Sequence, residues 1–126
     1  MEAREFEHPK GHKVLVKPAT EIDLAEAKAD AKRRYGVSIA SLETLFPDAN
    51  LGRGPGEGFN EFFCCLAPRV CTKLWKKGDD GELREAKASD REIALRSTIT
   101  LAVWVGLKAF ELKAEIEKEW AVDSGN

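Results

Sequence analysis

The fold turns on residues 59–77, FNEFFCCLAPRVCTKLWKK. Phe59, Phe62, Phe63, Leu66, Ala67, Val70, Cys71, Leu74 and Trp75 fall at i, i+3, i+4, i+7, i+8, i+11, i+12, i+15 and i+16. That spacing is the apolar stripe of an amphipathic helix, in phase across the whole stretch. Pro68 stands in its middle. It removes the backbone bond to the carbonyl of Cys64, so a helix running through it must kink. A rival reading ends the helix at Ala67 and makes residues 69–76 and 82–85 a hairpin around Gly78-Asp79-Asp80-Gly81. The unbroken phase favours the kinked helix over 59–77.

C-terminal to this stretch, Ser89-Asp90-Arg91-Glu92 has the form of a capping box, and the helix it opens is expected to run to about residue 119. Residues 97–107 carry no charge, and Thr98 to Leu107 are mostly apolar on every side, as in a helix that is buried or lies in a membrane. Thr98, Ala102 and Gly106 recur every four residues and form a narrow face for close helix contact. N-terminal to it, Thr20 with Asp23 reads as a capped helix start. Leu24, Ala27, Ala31 and Tyr35 form that helix's stripe, Lys32, Arg33 and Arg34 suit its last turn, and Gly36 is the expected C-cap glycine. A short helix is expected from Ser38 to Phe46, stopped by Pro47, and Gly52, Gly54, Pro55, Gly56 and Gly58 mark residues 47–58 as a loop. Residues 13–17, Lys-Val-Leu-Val-Lys, are the one convincing strand, closed by Pro18.

The expected fold is therefore all-α: a small bundle of three long helices plus one short helix, with the long C-terminal helix central. Residues 1–19 form an extended arm with one short strand. The segments are 20–46 (a helix-turn-helix-like pair), 47–58 (the glycine loop), 59–77 (the kinked helix) and 89–119 (the long helix), in a single domain over 1–126. The length of 126 residues agrees, since a chain of this size buries about two-thirds of its surface in one core.

Composition narrows the function classes. Hydrophobic residues make up 43% and charged residues 33%, which excludes a disordered tail or a fibrous repeat. Twenty Lys and Arg oppose 22 Asp and Glu, with neither half strongly of one sign, so bulk charge does not point to nucleic acid. No charged run followed by an apolar one opens the chain, and no secretory leader is expected. Three Cys without a disulfide framework suit a reducing, cytoplasmic compartment.

Motifs for chemistry are sparse. The alternating glycines lack the Lys-Ser/Thr ending of a phosphate loop. His8, His12, Cys64, Cys65 and Cys71 lack the pair spacing of a structural zinc site, so no metal and no cofactor is expected. Cys65 falls opposite the apolar stripe, near Arg69, and is the candidate reactive thiol. Gly36-Val37-Ser38 with Leu42 and Leu45 resembles the turn of a helix-turn-helix DNA reader, but the would-be recognition helix carries Glu43 and no cation, which leaves nucleic acid an alternative. The apolar helix 93–112 makes a membrane-associated subunit a further alternative, although its uncharged run is shorter than the roughly 20 residues a span needs.

With no catalytic constellation, the expected function is non-enzymatic protein–protein interaction, as a small helical subunit, adaptor or inhibitor binding another protein or a second copy of itself. The expected partner-binding residues are Val14, Leu15 and Val16, as a strand seeking a sheet, with Trp120 as an exposed anchor. The cationic cluster Arg69, Lys73, Lys76 and Lys77 completes the set.

Overall fold

The computed structural model describes residues 3–45 and 56–124. In chain order the elements are strands β1 (Arg4–Glu7) and β2 (Lys13–Val16), helix α1 (Glu21–Tyr35), a 3-10 turn (Leu42–Leu45), helix α2 (Phe59–Val70), strands β3 (Cys71–Lys77) and β4 (Leu83–Glu85), and helices α3 (Ala88–Ser97) and α4 (Ile99–Ser124). The strands form one antiparallel sheet in the order β1-β2-β3-β4. The fold is thus α+β, and the all-α helical-bundle expectation is wrong.

The error lies in residues 71–77. The helix ends at Val70 rather than kinking through Pro68, and Cys71–Lys77 form a strand that pairs with β2 and, around the Gly78–Gly81 turn, with β4. The apolar phase persists because β3 is bulged. Val16 faces Cys71 and Leu15 faces Lys73, so Thr72 is an extra residue in the ladder. Cys71 and Leu74 both point inward, three residues apart instead of two. A bulged strand therefore reproduces the i, i+3 spacing of a helix. The Thr72 hydroxyl donates to the carbonyl of Leu15 at 3.2 Å and fastens the bulge.

β2 is not an unpaired arm. It lies between β1 and β3, with Val14 and Val16 fully buried. Each contributes roughly 1.5–3 kcal/mol of burial. The sheet's inner face (Phe6, Val14, Val16, Cys71, Leu74) lies on the helices; its other face carries Leu15, Lys73 and Trp75, with the Lys13 ammonium 4.4 Å from the Trp75 ring centroid.

The helix at the centre is α2, not the C-terminal one. It packs against α1, α3 and α4, and Phe62, Phe63, Leu66 and Val70 are fully buried. The C-terminal pattern is broken as well. Thr98 adopts an extended backbone (φ −108°, ψ 93°), and the axis turns by 101° between α3 and α4. The first helix of this pair begins at Ala88 with no side-chain cap, so the Ser89–Glu92 box does not form. In α4, Ala102 and Gly106 are buried against α2, whereas Thr98 is exposed and Trp104 only half-buried.

Local signals held elsewhere. Thr20 and Asp23 form the reciprocal capping box of α1, and Gly36 closes that helix in the left-handed conformation. The short helix expected over 38–46 is only the 3-10 turn Leu42–Leu45; Phe46 and residues 47–55 of the glycine loop lie outside the described residues.

Candidate functional site

The β1–β2 turn, His8-Pro9-Lys10-Gly11-His12, packs beside the elbow between α3 and α4. Gly11 makes the turn possible: its φ of 92° is left-handed, and a Cβ there would lie 2.7 Å from Lys77 Cδ. The turn is closed by His8 N–H donating to the His12 carbonyl and Gly11 N–H to that of His8, both at 2.8 Å. The two imidazoles stack with centroids 5.7 Å apart, and His8 meets Trp104 edge-on at 4.9 Å.

Backbone amides fix which nitrogen of each ring accepts. His8 Nδ1 accepts from the Lys10 N–H at 3.2 Å, and His12 Nδ1 from the Lys77 N–H at 3.0 Å. A neutral imidazole that accepts at Nδ1 carries its proton on Nε2. Burial, together with the nearby His12 and Lys10, pulls the His8 pKa below its ordinary value and keeps the ring neutral.

A cleft of about 210 Å³ opens beside these rings. Leu74, Ala94 and Leu101 give it apolar walls; His8, Lys10, His12, Lys76, Thr98 and Thr100 give it polar ones, and no carboxylate lines it. Thr98 and Thr100 stand at the start of α4, whose first-turn amides have no acceptor within the helix. The cleft continues into a second hollow of about 520 Å³ between β4 and α3, with Lys76, Ala94 and Thr98 common to both. Ile93, 63% exposed, lies in this extension with Arg84, Glu85 and Asp90. The two hollows make one groove, donor-rich at one end and partly apolar at the other.

A third hollow, of about 530 Å³, lies between the end of α2 and α3 and holds Arg69, Arg91 and Arg96. Two of its three guanidinium groups, those of Arg69 and Arg96, already hold carboxylates. Arg69 bonds Asp30 at 3.0 Å and also Glu26, and Arg96 Nε donates to Glu92 at 3.0 Å. Arg69 Nε and Arg96 Nη1 are buried without a partner among the described residues. Burial alone would raise the Asp30 carboxyl, but Arg69, Arg33 and Arg34 outweigh it and hold its pKa below the usual carboxylate range. This cluster ties α1 to α2 and is scaffold.

The residues expected from sequence are dispersed. Val14 and Val16 are core, and β2 is paired on both edges, so these two cannot dock a partner strand; Leu15 is half-buried on the outer sheet face. In the cationic cluster, Arg69 is ion-paired toward α1, Lys73 is on the outer sheet face, Lys77 packs at Gly11, and only Lys76 lines the groove. Trp120 is 72% exposed near the end of α4. Cys65 is fully buried and its thiol is pushed up by burial and then by the charge of Asp30, so it is not a reactive surface thiol. Its outward phase on the wheel was misleading because α1 covers that side of α2. Cys64 and Cys71 are buried as well, and no group of His, Cys, Asp or Glu among the described residues is placed to hold a metal ion.

Sequence reasoning missed the site formed by His8, Lys10, His12, Thr98 and Thr100. Its one visible signal was the His pair spaced around a Pro-Gly turn, which lacked the zinc pattern; its alignment with residues 98–100 is made by the fold. No single helix among the described residues is long and apolar enough to cross a membrane. Comparison with protein-family models, with curated proteins and with solved structures finds no match to this chain.

Proposed function

We propose that this chain is a non-enzymatic interaction module that docks an acidic, partly apolar segment of another protein in the groove between the sheet and the α3–α4 elbow. The observation that supports it is the groove's asymmetry. One end offers donors and cations with no carboxylate in its lining, and the other presents Ile93 to solvent. Charge complementarity selects an acidic segment at the first end, and burial of Ile93 adds apolar contact at the second. The helix-turn-helix alternative is not carried forward, because a single 3-10 turn stands where the recognition helix would be. Three free, buried thiols suit work in a reducing compartment.

The test compares the intact chain with Ile93→Glu and Lys76→Glu. Both positions are exposed, so both variants are expected to fold. Partners enriched from the source cells by the unaltered chain, and lost with both variants, are then purified and titrated against all three. Loss of direct binding by roughly tenfold or more in each variant supports the reading. Partners that bind the variants as tightly as the parent overturn it.

A further inference from the structure

We infer that the donor-rich end of the groove is a receptor for a phosphate monoester dianion. This rests on the groove being the binding surface proposed above and adds the chemistry of what its donor-rich end holds.

The polar part of the lining consists of donors set against apolar walls of Leu74, Ala94 and Leu101. His8 and His12 each have Nδ1 committed to a backbone amide, which leaves an Nε2–H to donate. Lys10 and Lys76 add ammonium groups, and neither has an ion-pair partner among the described residues. Thr98 and Thr100 add hydroxyls. The first turn of α4 adds amides that the helix leaves unpaired, at the positive end of a 26-residue helix. Without a carboxylate in the lining, nothing within the cleft neutralises these groups.

Charge and size select the ligand. A carboxylate brings one charge and two oxygens. A phosphate monoester brings nearly two charges and three strong acceptor oxygens. Two ammonium groups match the dianion, and two imidazole N–H groups, two hydroxyls and the helix amides exceed what a carboxylate can accept. A volume of about 210 Å³ is below the range of drug- and cofactor-sized pockets and suits a phosphoryl group on a short stem. Leu74 and Leu101 restrict water on one side and strengthen each hydrogen bond made there.

The experiment follows amide and imidazole signals of the full chain by 1H–15N NMR as inorganic phosphate is added at constant ionic strength, with acetate as the carboxylate control. Saturable shifts are expected at His8, His12, Thr98, Thr100 and Leu101, with acetate weaker by roughly tenfold. Thr100→Glu places a carboxylate in the first turn of α4, where it suits the helix, and is expected to keep the fold and abolish the shifts. Lys73→Glu makes a larger charge change on the other sheet face and is expected to leave binding unchanged. Absence of saturable phosphate shifts, equal response to acetate, or equal weakening by Lys73→Glu each overturns the receptor.

A synthetic peptide with phosphoserine followed by leucine and valine, and the same peptide unphosphorylated, separate the sources. Tighter binding of the phosphopeptide than of inorganic phosphate, with shifts reaching Ile93, supports a phosphate borne on a protein. Phosphate binding without any gain from the peptide supports the receptor with a soluble phosphate compound as its source, and counts against protein docking. A partner that still depends on Ile93 while phosphate fails to bind overturns the receptor alone.

Discussion

Gly106→Ala tests the packing that positions the elbow. Gly106 is where α4 crosses the Phe63 ring. A Cβ there would stand 2.5 Å from Phe63 Cε1 and closer still to Cδ1. A relaxed carbon–carbon contact needs about 3.5 Å, so the 2.5 Å approach requires a retreat of about 1 Å. Phe63 has nowhere to go. It is fully buried, with Phe59, Phe62 and Phe110 at centroid distances of 4.8, 5.4 and 6.0 Å. Overpacking of this kind costs about 1–3 kcal/mol. The gain in helix propensity from Gly to Ala returns up to about 1 kcal/mol. Because the contact is this close and the ring is hemmed in, the upper part of the overpacking range, about 2–3 kcal/mol, applies. The net expectation is therefore a loss of about 1–2 kcal/mol, or a fall in Tm of about 4 °C per kcal/mol for a domain of this size. Urea denaturation read by far-UV circular dichroism measures it as a lower midpoint at unchanged slope. Phe63→Leu makes room, so the double variant should be more stable than the sum of the single losses predicts, by about 1 kcal/mol. A Gly106→Ala protein as stable as the parent, or more so, would refute the contact, because propensity would then act unopposed.

Deletion of residues 1–18 should abolish cooperative unfolding, because it removes two of the four strands together with buried Val14 and Val16; a truncated chain with an intact thermal transition would contradict the sheet assignment. All three thiols should resist alkylation in the native chain, Cys71 most strongly because burial pushes its pKa up to about 11, and all three should react on denaturation; rapid native labelling of Cys65 would contradict its burial. Asp30 and Asp23 have folded pKa values below their unfolded ones, so the stability they contribute is complete above the unfolded value near 3.8 and is lost as pH falls through the lower folded values. Urea midpoints should therefore drop in that acid window, less steeply in Asp30→Asn, and identical profiles for parent and variant would remove Asp30 from the account. Arg69→Ala should cost about 2 kcal/mol, less than a fully buried pair because Arg69 is partly exposed and Arg33 remains beside Asp30; a loss within error of zero would show that the cluster does not hold α1 to α2.

What could be read in advance follows from the range of the forces involved. The limits and caps of α1 were legible, because Thr20, Asp23 and Gly36 act on backbone groups within four residues. The inward placement of Phe62, Phe63, Leu66, Val70, Cys71 and Leu74 was legible too, since each is apolar at a regular spacing. The type of element was not. A helix and a bulged strand both bring Cys71 and Leu74 to one face, and the choice between them was made by β2, which offered backbone partners to residues 71–75 from more than fifty positions away. The break at Thr98 has the same origin: nothing in an apolar run from Thr98 to Leu107 interrupts a helix, and the 101° turn arises where α3 and α4 each pack against α2.

By itself, then, the order of residues determined that Phe62, Phe63, Leu66 and Val70 leave water, where α1 starts and stops, and that the chemistry of catalysis and metal binding has no local motif. Those properties depend on transfer free energy and on hydrogen bonds between near neighbours. Only the tertiary structure decided that β2 is a central strand, that Cys65 is covered by α1, and that His8 and His12 stand beside Thr98 and Thr100 at the mouth of α4. Each of these is a meeting of segments distant in the chain. It is selected by long-range strand pairing and packing, whose closure entropy and contact energy are invisible in any short window of sequence.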